Sequence, residues 1–157
     1  MSNALALRSC EASSASATVA DLMRPPLTTI EHSAHVAAAA YVMKHAGATA
    51  LMIRDGLTGQ PIGIITEADI AHAVADGKDM NSVRIHDLMT TRPTVISMNT
   101  SVRDAATVMT SGHFRHLPVV GDDNGLVGTV DITDVCRALI DVDTAESRPE
   151  GIPHAHD

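Results

Sequence analysis

Aromatic side chains are almost absent from this chain of 157 residues, which has one tyrosine, Tyr41, one phenylalanine, Phe114, and no tryptophan. Its core must therefore be built from Val, Ile, Leu, Met and Ala, which suits thin layers of helix packed on sheet. The same shortage leaves few side chains on which the bases of a single-stranded nucleic acid could stack.

Cysteine, positive charge and long apolar runs are also scarce. The two cysteines, Cys10 and Cys136, do not make a disulfide framework, which favours a reducing, cytoplasmic location. The net charge of −8 disfavours a nucleic-acid partner, because phosphate binding needs a basic face. No apolar run approaches the roughly 20 residues of a membrane span, and the N-terminus lacks the plan of a signal peptide. We therefore expect a cytoplasmic protein that binds neither nucleic acid nor membrane.

An octapeptide that occurs twice organises the chain. The copies run from Gly63 to Ile70 (GIITEADI) and from Gly128 to Val135 (GTVDITDV). Each copy has a glycine, a short β-branched strand, a polar residue and an aspartate three places further on, and an amphipathic helix follows. Such self-similarity indicates a duplicated supersecondary unit.

The segments upstream of the octapeptide repeat as well. Val36 and Val102, on matching helices, and Leu51 and Leu117, in matching strands, are each 66 residues apart. The distance becomes 65 at the two octapeptides, which one deletion in a turn explains, because turns tolerate deletions. We therefore interpret the chain as a tandem duplication.

Each repeat is predicted to fold as strand, helix, strand, strand, helix, which gives a mixed α/β (α+β) class with two β-α-β-β-α repeats. The repeats span residues 18–79 and 80–141, between a mobile N-terminal tail over 1–17 and a C-terminal tail over 142–157. A unit of ~60 residues is too thin to bury much core alone. We expect the repeats to pack sheet on sheet, with the helices outside.

Two helix boundaries are predicted in the first repeat. Ser33 can cap a helix that runs to about His45 and ends at Gly47.

Three motifs together resemble a tandem pair of CBS domains, the Bateman module. They are the Asp-Leu-Met before the first strand of each repeat, the segment RHLPVV over 115–120, and the octapeptide GIITEADI. The resemblance covers about residues 18–141 and is to the stand-alone bacterial type. It implies a pseudo-twofold module that forms a homodimer through its helices. It also implies an adenosine ligand, such as AMP, ADP, ATP or S-adenosylmethionine, in the cleft between the repeats, with no cofactor required.

The resemblance further implies which residues bind that ligand. Thr66 and Asp69 of the first repeat would bind the ribose hydroxyls, and a carboxylate can accept two hydrogen bonds from a vicinal diol. The corresponding residues of the second repeat are Asp131, Thr133 and Asp134.

Phosphate and adenine contacts are implied in the same way. Basic residues before the middle strand, Arg115 and His116, would meet phosphate, and arginine can bind it bidentately. Thr49 occupies the matching, uncharged place in the first repeat. The adenine pocket would be lined by Thr18, Ile30 and Met52.

The second repeat departs from the family pattern. Asp131 stands where the family usually has Ser or Thr, and a second carboxylate beside Asp134 would repel a phosphate. We therefore expect the occupied pocket to combine Thr66 and Asp69 with Arg115 and His116 of the other repeat.

Purely structural roles are open for several of these residues. Thr66 and Asp69 also form a capping-box pattern, and Asp131 with Asp134 could cap the other helix. Gly63 and Gly128 could serve close packing or a bulge.

Three further side chains also have structural interpretations. His113 and His116 could be surface residues, and Cys136 is expected to be buried and inert.

Two functions are open at this stage. The first is a regulatory module that binds an adenine nucleotide and signals to an unidentified protein. The alternative is a ligand-free interaction or scaffold protein that acts through its helical faces. We expect neither catalysis nor a metal site, because the sequence has no recognisable catalytic grouping, phosphate-cradling loop or set of metal ligands.

Overall fold

The computed structural model describes residues 17–146, and both repeats have the predicted element order. After a 3-10 turn at Val19–Asp21, the first repeat contains β1 (Thr28–Thr29), α1 (Val36–Ala46), β2 (Ala50–Arg54), β3 (Pro61–Thr66) and α2 (Glu67–Ala75). A short α3 (Ile85–Leu88) and β4 (Thr90–Thr91) follow. The second repeat contains β5 (Ile96–Ser97), α4 (Val102–Gly112), β6 (His116–Val120), β7 (Leu126–Asp131) and α5 (Ile132–Glu146). The predicted mixed α/β class is confirmed.

The strands form one sheet in each repeat. The first sheet has the order β1-β2-β3-β4 and the second the order β5-β6-β7. In both, the short first strand pairs in parallel with the middle strand, which pairs antiparallel with the third. Leu51 pairs with Ile65 in one sheet and Leu117 with Val130 in the other, so the duplication holds at the level of register.

The first helix begins later than predicted. Ser33 does not cap it; His35 is the N-cap residue and makes no capping hydrogen bond through its side chain. The free N–H groups of Val36 and Ala37 instead donate to the backbone oxygens of Val83 and Met80, at 2.9 and 3.0 Å. The backbone oxygens of residues 80 and 83, rather than a neighbouring side chain, therefore satisfy the free N–H groups at the start of α1.

The far end of that helix is as predicted. Gly47 adopts φ 62°, and its N–H donates to the oxygens of Lys44 and Met43.

The last helix is longer than the predicted repeat. It runs to Glu146, so the tail expected over 142–157 begins as helix, since no proline or glycine interrupts the chain before Pro149. The rest of that tail, and residues 1–16 of the N-terminal one, lie outside the described residues.

The segment at the start of each repeat packs into the hydrophobic core of the other repeat. Val19, which is fully buried, belongs to the second-repeat cluster with Ile96 and Val102. Ile85 belongs in the same way to the first-repeat cluster with Val36. The division of the sequence at residue 79 therefore does not divide the two cores.

The two sheets meet through a small third cluster. Ala50, Met52 and Ile64 of the first sheet are buried together, with Leu126 of β7 packed against them. The N–H of Leu126 also donates to the oxygen of Gly59 at 3.0 Å. Sheet-on-sheet contact between the repeats is therefore present, as expected.

Of two remaining expectations, the one about the glycines agrees with the structure and the one about Cys136 does not. Gly63 and Gly128 do serve close packing, because an added Cβ would lie 2.5 Å from the sulfur of Met89 and 2.8 Å from that of Met23. Cys136 was expected to be buried but is exposed, because α5 packs on the core through another face, which includes Val135 and Leu139. Over the described range, none of the helices has the length and apolar character needed to span a bilayer.

Candidate functional site

A cleft of about 780 Å³ lies between the repeats, and we call it the first cavity. The start of α2 forms one wall, and the segment that leads into β6 forms the other. Seven of the eleven residues that the resemblance implies contact the ligand line this cavity. They are Thr49, Thr66, Asp69, Arg115, His116, Asp131 and Thr133.

The ribose-type pair, Thr66 and Asp69, forms the N-terminus of α2 as a capping box. Oδ2 of Asp69 accepts from the Thr66 backbone N–H at 2.8 Å and from its hydroxyl at 2.9 Å. The Asp69 N–H donates to the Thr66 hydroxyl at 3.3 Å. The structural role is therefore present, and it holds the carboxylate in place at the cavity wall.

His116 joins the two repeats across the cavity wall. Its Nε2 lies 2.6 Å from the hydroxyl of Thr49 and 3.1 Å from Oδ2 of Asp131. A carboxylate only accepts hydrogen bonds, so we place the proton on Nε2. Thr49 thus has a definite partner in the opposite repeat.

The environment of His116 favours its neutral form. Burial lowers the pKa of His116, and its side chain is 13% exposed. The Asp131 charge opposes that shift, Arg115 adds to it, and Glu67 opposes it. The imidazole therefore carries no positive charge at neutral pH.

Arg115 provides a positive charge at the cavity. It is exposed at the cavity wall, and its backbone oxygen accepts the N–H of Ile132 at 2.9 Å, which ties it to the start of α5. His113 also lines the cavity and is exposed, in agreement with a surface role.

A second cavity of about 480 Å³ shares a wall with the first. Thr49, His116, Asp131 and Thr133 line both cavities. The shared side chains place the His116 contacts at the boundary between the two spaces.

Asp134 lines the second cavity only, and it is 9% exposed. Its Oδ1 accepts from Nη2 of Arg24 at 2.6 Å and from Nη1 of Arg137 at 3.3 Å. Sequence reasoning missed both arginines. The i, i+3 spacing could have indicated Arg137, but Arg24 lies 110 positions away and leaves no signal in the sequence.

Asp131 and Asp134 have different hydrogen-bond and ion-pair partners. Asp131 accepts the N–H of Thr133 at Oδ1, 2.7 Å away, and faces His116 through Oδ2. Asp134 is paired with the two arginines instead. Each carboxylate has its own partners, so Asp131 caps α5 as one interpretation allowed, whereas Asp134 does not.

Thr18 and Ile30, which the resemblance implies at the adenine, lie outside the two cavities. Thr18 lines neither cavity, because the segment that carries it pairs with Ser101 on the second repeat. Its N–H donates to the carboxylate of Asp21 at 2.8 Å. Ile30 also lines neither cavity and is 54% exposed, whereas Met52 lines the second cavity.

Metal ligands do not converge in the described part of the chain. No group of three or more His, Cys, Asp or Glu side chains between residues 17 and 146 is arranged to hold an ion.

Comparison with known proteins identifies the repeats. The family model of the CBS domain matches residues 19–76 and 85–141. A 17.7 kDa protein of Acidianus ambivalens is 37% identical over 111 residues, which are 71% of this chain and 66% of that protein. The match covers 45% of the length of a mitochondrial CBS domain-containing protein of Arabidopsis thaliana and 50% of a protein of Methanopyrus kandleri.

Solved structures of CBS domain pairs share the fold. One is the pair of protein MJ0100 in complex with 5′-methylthioadenosine and S-adenosyl-L-methionine, with 29% identity and a TM-score of 0.71 over 81% of this chain and 98% of that one. Another is CBSX2 of Arabidopsis thaliana in complex with AMP, with 26% identity and a TM-score of 0.63 over 80% and 98%.

Proposed function

The chain belongs to the CBS domain family, and from this premise we propose that it is a regulatory module that binds an adenine nucleotide in the first cavity. The predicted resemblance to a tandem CBS pair is confirmed. One observation carries the proposal: a cleft between the repeats brings the Asp69 carboxylate of one repeat together with the Arg115 guanidinium of the other. Those two groups suit opposite ends of a nucleotide.

The ribose end belongs at Asp69. The three hydrogen bonds that join Asp69 to Thr66 involve only the Asp69 N–H and Oδ2, so the ribose hydroxyls bond to Oδ1. The capping bonds hold the carboxylate in one orientation before the ligand arrives, which lowers the entropic cost of binding.

The phosphate end belongs at Arg115. Its planar guanidinium can donate two parallel hydrogen bonds to a phosphate. His116 contributes shape and hydrogen bonding rather than charge, because its pKa is lowered by burial. The acidic residues Glu67, Asp69 and Asp131 line the same cavity. We therefore favour AMP within the AMP, ADP and ATP class.

The relatives support a binding role rather than a catalytic one. The MJ0100 and CBSX2 pairs were solved with adenosine-type ligands. We propose that the same ligand class binds here, with no cofactor required, and that ligand occupancy is transmitted to an unidentified partner protein. We also keep the cytoplasm as the proposed location.

The test of this proposal is calorimetric titration of AMP, ADP, ATP and S-adenosylmethionine into the protein and its Asp69→Ala variant. We expect wild type to bind AMP and Asp69→Ala to lose at least about tenfold in affinity, since 1.4 kcal/mol is tenfold and hydrogen bonds to a charged group are worth about that much or more.

Ser101→Ala is the matched control. Ser101 caps α4 by accepting the Asp104 N–H at 3.0 Å, and it lines neither cavity. It should cost about 1 kcal/mol of stability, as cap loss does, and leave AMP affinity unchanged. No heat with any of the four ligands, or binding unaffected by Asp69→Ala, would refute the proposal.

The alternative is an interaction protein that binds no nucleotide and acts through its helices. It is favoured by exposed apolar side chains on the helices: Tyr41 is 63% exposed, Val74 56% and Ile140 63%. Melting temperatures that stay constant across the nucleotide panel would support it. The same side chains are where we propose that two copies pair as a homodimer.

A further inference from the structure

We propose that Arg24 is a gate on the second cavity, which admits a vicinal-diol ligand at Asp134 only when the Arg24 guanidinium moves away. The inference builds on the proposed function, because it takes an adenosyl ligand as the occupant. It makes the two cavities unequal, with the first filled in preference to the second.

The position of the guanidinium supports the gate. Arg24, Asp134 and Arg137 all line the second cavity, so the groups bonded to the carboxylate occupy space that a ribose would need. Nη2 of Arg24 lies 2.6 Å from Oδ1 of Asp134, a short charge-assisted hydrogen bond. Nη1 of Arg137 is farther, at 3.3 Å, and belongs to the same helix as Asp134.

Within residues 17–146, no arginine or lysine is paired with Asp69 in the first cavity. The hydrogen bonds that join Asp69 to Thr66 belong to the cap of its helix, and they remain in place when a ligand binds. The corresponding position of the second repeat instead has a cation from a distant part of the chain. This difference sets the order of filling.

Backbone hydrogen bonds to β7 hold Arg24 beside Asp134. Its N–H donates to the Thr129 oxygen and its oxygen accepts the Thr129 N–H, both at 2.9 Å. The preceding residue, Met23, packs over Gly128, where an added Cβ would lie 2.8 Å from the Met23 sulfur. The main chain of Arg24 is therefore held on β7, and only its side chain has to swing.

The side chain is free to swing towards water. The Arg24 side chain is 64% exposed and that of Asp134 only 10% exposed. A guanidinium that is already largely hydrated loses little by leaving, whereas the enclosed carboxylate needs replacement donors. The two hydroxyls of a vicinal diol are such donors, so ligand and Arg24 compete for the same carboxylate.

The experiment compares adenosine and AMP binding to Asp69→Ala and to the double variant Asp69→Ala/Arg24→Ala. The first substitution removes Asp69, the carboxylate proposed to bind the ribose in the first cavity, so the titration reports on the second cavity. We expect Arg24→Ala to tighten binding of both probes at least about tenfold. In the otherwise wild-type chain, it should raise the stoichiometry from one ligand to two.

The direction of the change distinguishes a gate from an ordinary phosphate ligand. Removal of a cation that bound phosphate would weaken AMP and leave adenosine unchanged, whereas removal of a gate tightens both. Arg103→Ala, which removes an equal charge from α4 away from both cavities, should change neither. Melting temperatures confirm that each variant is folded.

The results separate this proposal from the proposed function. If wild type binds AMP at Asp69 but Arg24→Ala gives no gain in either probe, or a loss of AMP binding, the gate is overturned alone. If wild type binds no AMP while Arg24→Ala binds it, the gate stands and binding in the first cavity is overturned. If no variant binds either probe, both proposals fail.

Discussion

His116 is one of four residues that line both cavities, and its side chain contacts both repeats. Its Nε2 lies within hydrogen-bonding distance of Thr49 from one repeat and of Asp131 from the other. The neutral imidazole hydrogen-bonds to the Thr49 hydroxyl at 2.6 Å, and its Nε2 lies 3.1 Å from Oδ2 of Asp131. Protonation adds a charge to an enclosed site, and burial resists it more strongly than Asp131 favours it.

The depressed pKa of His116 predicts a pH-dependent contribution to stability. The unfolded chain takes up the proton first as pH falls below about 6.5, the ordinary histidine value. Since the unfolded state then binds more protons, the free energy of unfolding falls with decreasing pH until the folded pKa is reached. His116→Gln should remove this part of the acid sensitivity.

The measurement is urea unfolding of wild type and His116→Gln at pH 7.5, 6.5 and 5.5. The difference between the two proteins cancels the contributions of the other histidines and of the carboxylates. We expect wild type to lose more stability than the variant between pH 6.5 and 5.5. Parallel losses in the two proteins would show that His116 is equally easy to protonate in both states.

At the scale of elements, the two repeats are joined because the short segment at the start of each one packs on the other. The turn at Val19–Asp21 bonds to the second repeat, with its first N–H donating to the Thr100 oxygen at 2.8 Å. The α3 segment packs in the same way on the first repeat through Ile85. Each exchanged segment pairs antiparallel with the third strand of the sheet beside a glycine, Gly128 or Gly63, and a methionine side chain packs on that glycine.

The two glycines differ in how well they should tolerate a methyl group. At Gly128 an added Cβ meets Met23 and also the Arg24 backbone oxygen at 3.2 Å, whereas at Gly63 the three nearest atoms all belong to the flexible Met89 side chain. Gly128→Ala should therefore cost about 1–3 kcal/mol, the usual range for overpacking, and Gly63→Ala less, because methionine adapts.

Chemical denaturation of the two alanine variants measures the difference. The pair is internally matched, since both glycines occupy the same place in the duplicated sheet. A larger loss for Gly63→Ala than for Gly128→Ala would contradict this account. Because Gly128 holds the backbone next to Arg24, Gly128→Ala should also shift the Arg24 guanidinium.

At the scale of the whole molecule, the helices carry apolar side chains that face solvent. Tyr41 and Val42 of α1 are 63% and 41% exposed, and Ile140 and Val142 of α5 are 63% and 40% exposed. Burial of such side chains stabilises association at roughly 25 cal/mol for each Å² of apolar surface. This is the physical basis on which we propose a homodimer.

Light scattering should give a mass of twice the 16.4 kDa of the chain. Tyr41→Asp should reduce that mass towards one chain, because it places a charge within the proposed interface. Leu57→Asp is the matched control, since Leu57 is 98% exposed in the turn between β2 and β3, outside the helices. A wild-type mass of one chain would refute the dimer.

The sequence by itself determined the class of fold and the order of elements, because these depend on local patterns. The apolar spacing of α1 and α4, the β-branched strands and the turns recur at one nearly constant distance along the chain. The start of α2 was also readable, since Thr66 and Asp69 are three residues apart and bond to each other. The family resemblance also named seven residues that line the first cavity.

Only the tertiary structure decided how the two repeats exchange segments and how their cavities differ. The cap of α1 comes from backbone groups more than 40 positions away, so Ser33 is not used as the sequence predicted. The Arg24–Asp134 pair spans 110 positions and Thr49–His116 spans 67. Contacts at such separations leave no periodicity or spacing in a single sequence, because they depend on where folded elements come to lie.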